Sequence, residues 1–255
     1  MAANHAEVRG GPGTFGRRLL LAVDAQGYGG HDVVTQRQFQ EEMPRLLDRA
    51  AATARLDRAG WLTQEGGDSV FAVLPESAYE PALIDPFMRE LDAGLRAFNQ
   101  NRIPQARLRL RAAVHFGPAA PGANGFVGPA PVEIGRILDS AALRAALAES
   151  PDAALAVGVS AIVFHDVVKA AHTTLREAEF RRVSVTEKEY RGEAWIWVAG
   201  PGAGRPAPEV PPPGDAVQPQ PAARFVQNVT GGTGIQSENA TVTITQHPGT
   251  VGDQR

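Results

Sequence analysis

Residues 17–28 read RRLLLAVDAQGY. An unbroken apolar run over 19–23, closed by Asp24 and followed by the turn formers Gly27, Gly29 and Gly30, reads as a buried strand over 17–24. It delivers a carboxylate into a loop, in the frame Val-Asp-x-x-Gly-aromatic completed by Tyr28. Further along, residues 61–74 read WLTQEGGDSVFAVL, two strand-like runs (61–64 and 69–74) around a turn at 65–68. Asp68 stands at the tip of that hairpin. Residues 33–56 read as the intervening helix, with Pro44 as the point where it bends. If the hairpin pairs beside the first strand, Asp24 and Asp68 share one pocket.

The pattern continues downstream. Leu83, Phe87, Leu91, Leu95 and Phe98 recur at spacings of three and four, which makes 81–99 a helix with one face on the sheet. Residues 108–116 read as a strand, 131–149 as one alanine-rich helix and 154–160 as a strand. Residues 180–185 and 194–198 read as a closing antiparallel pair. The order β-α-β-β-α-β, then α-β-α-β-β, gives an α/β class with a single sheet. No internal repeat is visible.

Composition bounds the partners. The chain has 255 residues, 43% hydrophobic and 21% charged, enough for one sizeable domain. A net charge of −3 gives no global attraction to nucleic acid or to an anionic membrane, so neither is expected as a partner. The absence of cysteine excludes disulfides, thiolate metal sites and thiol nucleophiles. Residues 1–16 hold no apolar run of signal-peptide length, and nothing later approaches a membrane span, so the expected location is cytoplasmic.

These shifts divide the chain into a loose N-terminus (1–16), a domain (17–199), a Pro/Gly-rich linker (200–222) and a β-prone tail (223–255). The linker reading rests on eight prolines between 201 and 221. Between Phe225 and Gln246 the only ionisable side chain is Glu238, and 240–245 alternate apolar and hydroxyl residues. Low charge with Asn, Gln and Thr enrichment is the pattern of a cross-β stack of identical segments. The segment resembles the short amyloid-signalling motifs of bacterial defence proteins, implying a homotypic partner through 225–246. A disordered tail or a lone hairpin is the plain alternative.

Two carboxylates in one pocket repel each other unless a cation intervenes, and hard oxygen donors select Mg²⁺ or Mn²⁺. Two such ions suit phosphoryl transfer, activating a hydroxyl and neutralising a leaving pyrophosphate. Taken singly, Asp68 shapes a turn and Asp24 ends a strand.

Read in order, these frames resemble the class III adenylyl and guanylyl cyclases, in a divergent, actinobacterial-looking branch, over about three quarters of the chain. Asp24-x-x-Gly27-Tyr28 resembles the family's first metal frame and Gly67-Asp68 its second. LRAAVHFG (110–117) resembles the following strand, and GFVGPAPVEIGRIL (125–138) the segment opening the catalytic helix. The resemblance implies a ferredoxin-like βαββαβ palm with an added αβ extension. It implies Asp24 and Asp68 as ligands of two Mg²⁺ or Mn²⁺ ions, and Gln64, Glu65, Gly27 and Tyr28 as substrate-binding. Arg136 falls on the transition-state arginine, acting across a homodimer interface. The implied reaction turns a nucleoside triphosphate into a 3′,5′-cyclic nucleotide and pyrophosphate.

The chain also departs from the family. Val132 stands in place of the ribose-orienting asparagine, and Gln64 where a purine-reading lysine or glutamate is usual, which leaves the base open. An inactive module that senses a nucleotide or dimerises is therefore the second reading. Arg136 could equally be a surface arginine paired to Glu133 or Asp139. His115 reads as a core residue, His31 as a loop residue, and Arg107, Arg109 and Arg111 as one solvated face open to a triphosphate. GGDSVF also resembles, superficially, the GGDEF signature of diguanylate cyclases, but Ser69 replaces its second acid.

Overall fold

The apolar run after Arg18 becomes an interior strand of the sheet, β1 (Gly16–Ala25), in a computed structural model that describes residues 16–123 and 125–200. Side chains alternate across it. Leu19, Leu21, Val23 and Ala25 enter one core, while Leu20 and Ala22 enter a second core on the opposite face, which is also the face of Asp24. The terminal regions expected as a loose N-terminus, a linker and a β-prone tail lie outside the described residues, Gly16 and Gly200 apart.

Asp32 caps α1 (Val33–Thr53), its Oδ1 accepting from the amides of Val34 (2.9 Å) and Thr35 (3.0 Å). The helix runs through Pro44 as one element and stops short of the expected 56, where Arg55 takes a left-handed φ of 56°. β2 (Leu62–Glu65) and β3 (Ser69–Val73) form the hairpin, closed by Gly66 N donating to Ser69 O at 2.7 Å. The short α2 (Glu80–Ala82) leads through a π-helical turn (Leu83–Phe87) into α3 (Met88–Asn99). Pro86, which has no N–H to give the ladder, sits inside that turn, so the expected single helix over 81–99 is a composite.

β4 (Leu110–Gly122) outruns the expected 108–116, and its far end pairs with β5 (Gly125–Val127) in a hairpin that projects beyond the main strand path. The alanine-rich segment expected as one helix is two, α4 (Pro129–Leu138) and α5 (Ala141–Ala148). Ser140 divides them, its Oγ accepting from Leu143 N at 3.2 Å to start a second helix. β6 (Leu155–Ser160), the short α6 (Ala161–Val163) with a π-helical turn (Phe164–Lys169), β7 (Arg181–Glu187) and β8 (Tyr190–Val198) complete the domain.

The strand order is β2-β3-β1-β4-β6-β8-β7, antiparallel except for the parallel pair β4·β6. Its first four strands have the order of a βαββαβ palm, and β6 to β8 are the added extension. α1 and α3 cover one face through Phe39, Leu47, Leu91 and Leu95. α4 covers part of the other through Ala130, Ile134 and Ile137, and α5 packs beside it through Leu143 and Leu147. Among the described residues no helix is long and apolar enough to cross a membrane.

Candidate functional site

The register brings the two carboxylates together. Asp24 stands across from Ser69 on β3 and from Arg111 on β4. The amide of Ala25 donates to the carbonyl of Asp68 at 2.9 Å, and that of Gln26 to Arg109 O at 2.9 Å, so the loop after β1 is stitched to both neighbours. Burial holds the Asp24 carboxyl above its usual range. Arg111 pulls it down without outweighing burial, and the carboxylates of Asp139 and Asp68 push it up further. Asp24 thus senses Asp68, as the sequence reading requires, and also Asp139 at the end of α4.

Asp24 is not free, however. Arg111 clamps it in two-point fashion, Nε donating to Oδ1 at 2.9 Å and Nη2 to Oδ2, with the side chains only 12% and 14% exposed. The expectation of a solvated arginine face on β4 fails here. Arg109 is spent on the carbonyls of Ala153, Leu147 and Ser150, and Arg107 on that of Arg102. The Arg109 side chain thereby ties the entry of β4 to the end of α5 and the turn after it.

The donor chemistry of Asp24 and Asp68 fits a hard divalent cation. Among the described residues no group of three or more His, Asp or Glu is gathered to hold one. A cation on this pair would complete its shell with water or phosphate oxygens.

Gly27 adopts a φ of 71°, which a side chain would strain, and opens the turn Tyr28–Gly30. Tyr28 leans onto α1, its hydroxyl accepting from Gln40 Nε2 at 2.7 Å. A Cβ on Gly67 would lie 3.3 Å from the same nitrogen, so Gln40 links Tyr28 to the hairpin tip. Nothing in the sequence marks Gln40, because its role depends on how α1 crosses the hairpin.

Gln64 and Glu65 are exposed on β2 and line a cavity of about 340 Å³ with Ser69, Phe71, Phe126 and Leu138. Phe71 and Phe126 form an aromatic wall, centroids 5.4 Å apart. A Cβ on Gly125 would lie 2.5 Å from Gln64 Oε1, so the amide of Gln64 rests against the β4–β5 hairpin.

Arg136 lies on α4 with its side chain 19% exposed, and its Nη2 donates to Glu189 Oε1 at 2.8 Å. Its partner is thus neither Glu133 nor Asp139 but an acid 53 residues away on the β7–β8 turn, a pairing that only the fold reveals. Val132 is 46% exposed on the same helix. His115 is buried, 3.6 Å from Glu133, and burial together with the Arg17 charge pushes its pKa down to about 4. His31 caps the turn before α1 and packs edge-on against Phe39 at 5.0 Å. Both readings of the histidines as packing and loop residues stand.

No family model matches the chain, and no curated protein sequence does. Solved structures do match. An adenylate/guanylate cyclase/hydrolase from Silicibacter pomeroyi is 18% identical, with a TM-score of 0.54 over 73% of this chain and 99% of that one. The guanylyl cyclase Cya2 is 16% identical, with a TM-score of 0.51 over 76% of this chain and 96% of that one. A bacterial light-regulated adenylyl cyclase is 14% identical, with a TM-score of 0.50 over 75% and 93%. At such identities the likeness is one of fold: the domain has the architecture of adenylyl and guanylyl cyclase domains.

Proposed function

We propose that residues 17–199 form a nucleotidyl cyclase that works as a homodimer, converting a nucleoside triphosphate to a 3′,5′-cyclic nucleotide and pyrophosphate. The observation that carries this reading is the convergence of Asp24 and Asp68 at one end of β1 and β3, within a cyclase fold. Mg²⁺ or Mn²⁺ bound there would lower the pKa of the ribose 3′-hydroxyl and neutralise phosphate charge. The hydroxyl oxygen bonds to the α-phosphorus, its proton passes to solvent, and the bond to the β-phosphate breaks. Gly27 and Tyr28 shape the loop beside the carboxylates. Gln64 and Glu65, at the rim of the aromatic-walled cavity, face the base, and Arg136, from one protomer, stabilises charge on the triphosphate at its partner's site.

Purified protein incubated with each of the four nucleoside triphosphates and Mn²⁺ should yield cyclic product from at least one, and Asp68→Ala should abolish it. No product from any, with variant and wild type alike, would sink the enzyme reading. In solution the protein should run at twice its monomer mass.

A second reading, a catalytically silent module that binds a nucleotide or dimerises, draws support from Val132, from Ser69 and from the engagement of Arg136 by Glu189. We further propose that residues 225–246 recruit a homotypic partner by cross-β stacking in a bacterial defence pathway. A peptide of those residues that forms no thioflavin-positive fibrils would reduce the tail to a spacer.

A further inference from the structure

We propose that Arg111 is the resident counter-ion of Asp24 and competes with a divalent cation for that carboxylate, so that the site opens to metal only when the guanidinium leaves. The inference rests on the reading of Asp24 as a metal ligand. Three observations lead to it. The Arg111 fork occupies both Asp24 oxygens, the atoms that a cation would use. The pair is nearly sealed from water, so solvent does little to screen it.

The third observation separates Arg111 from its neighbour. Arg109, two positions earlier, is tied down by three backbone carbonyls. Among the described residues Arg111 has no anchor but Asp24, and its buried Nη1 has no hydrogen-bond partner. A guanidinium held by one carboxylate can leave it without breaking another hydrogen bond of the fold. Arg109 has no such freedom. The entry to β4 therefore holds one arginine that builds the fold, and the strand itself one that can move.

The competition is measurable with Mn²⁺ alone, by electron paramagnetic resonance titration of the full chain without nucleotide. Arg111→Met should bind Mn²⁺ about tenfold more tightly than wild type or better, equivalent to about 1.4 kcal/mol of competition removed. Arg111→Lys keeps the charge but loses the fork and should fall between them. Arg111→Met that folds by circular dichroism yet binds no more tightly than wild type would overturn the proposal. So would tightening by methionine with lysine at the wild-type value, because a distant charge effect, and not the clamp, would then be acting. Should the methionine variant fail to fold, lysine alone decides, by the same comparison with wild type. Asp24→Asn added to Arg111→Met that leaves the tightened Mn²⁺ binding intact would instead remove the metal reading itself.

Discussion

Arg136 on α4 and Glu189 at the β7–β8 turn meet through a 2.8 Å hydrogen bond, joining the helix that covers the palm to the hairpin at the opposite end of the sheet. The arginine is mostly buried and its Nε has no partner among the described residues, whereas the glutamate is 70% exposed. An acid so placed can swing into water, so the guanidinium is parked and not fixed. Glu189→Gln should leave Tm unchanged and tighten binding of a fluorescent nucleoside triphosphate in the presence of Mn²⁺. Unchanged affinity, with Arg136→Ala also silent, would show that this arginine never meets the nucleotide.

His115 makes stability depend on pH in a defined window. The folded chain holds its imidazole neutral down to about 4, whereas the unfolded chain protonates it near the ordinary value of 6.5. The unfolded state then binds more protons between those values, so stability falls as pH drops from about 6.5 to about 4. The contribution amounts to roughly 3 kcal/mol at most. Urea midpoints recorded across that range should show the slope in wild type, and His115→Gln should flatten it. Equal slopes would show that His115 does not govern the response.

Asp85 is a buried acid on the other face with a structural task. Burial alone would raise its pKa, but the amide of Thr174 and the Arg89 guanidinium both donate to it and together hold it below the usual value. Its stabilisation is complete above the ordinary carboxylate pKa and is lost as pH falls through the lowered one. Asp85→Ala should cost about 2–3 kcal/mol, read as a shift in the chemical denaturation midpoint, with Mn²⁺ binding unchanged.

Ser140 explains why one alanine-rich stretch makes two helices. Ser140→Ala removes the cap on α5 and should cost about 1 kcal/mol, with the overall helix content by circular dichroism scarcely altered. A gain in stability would mean that the uncapped segment fuses α4 and α5 into one helix, as composition alone suggests.

These cases show what the sequence carries and what it does not. The βαββαβ order and the strand-end place of Asp24 were legible because each depends on a local pattern: an apolar run, a glycine turn, a hairpin. The proximity of Asp24 and Asp68 followed once pairing was assumed. The partners of Arg136, Arg109 and Tyr28 were not legible, because they lie 53, 38 to 44 and 12 residues away and are chosen by packing. The split at Ser140 was readable in principle, since serine before an apolar run is a helix-start signal, but the alanine content masks it. The π-helical turn around Pro86 has no such mark beyond the proline.

The sheet ends on strands that discourage company. β2, at one border, is only four residues long and carries Gln64 and Glu65, while β7, at the other, carries Arg181, Arg182 and Glu187. Such borders make poor templates for an incoming strand. A cross-β stack grows by adding strands to an open edge, so the folded domain offers such a stack no place to start.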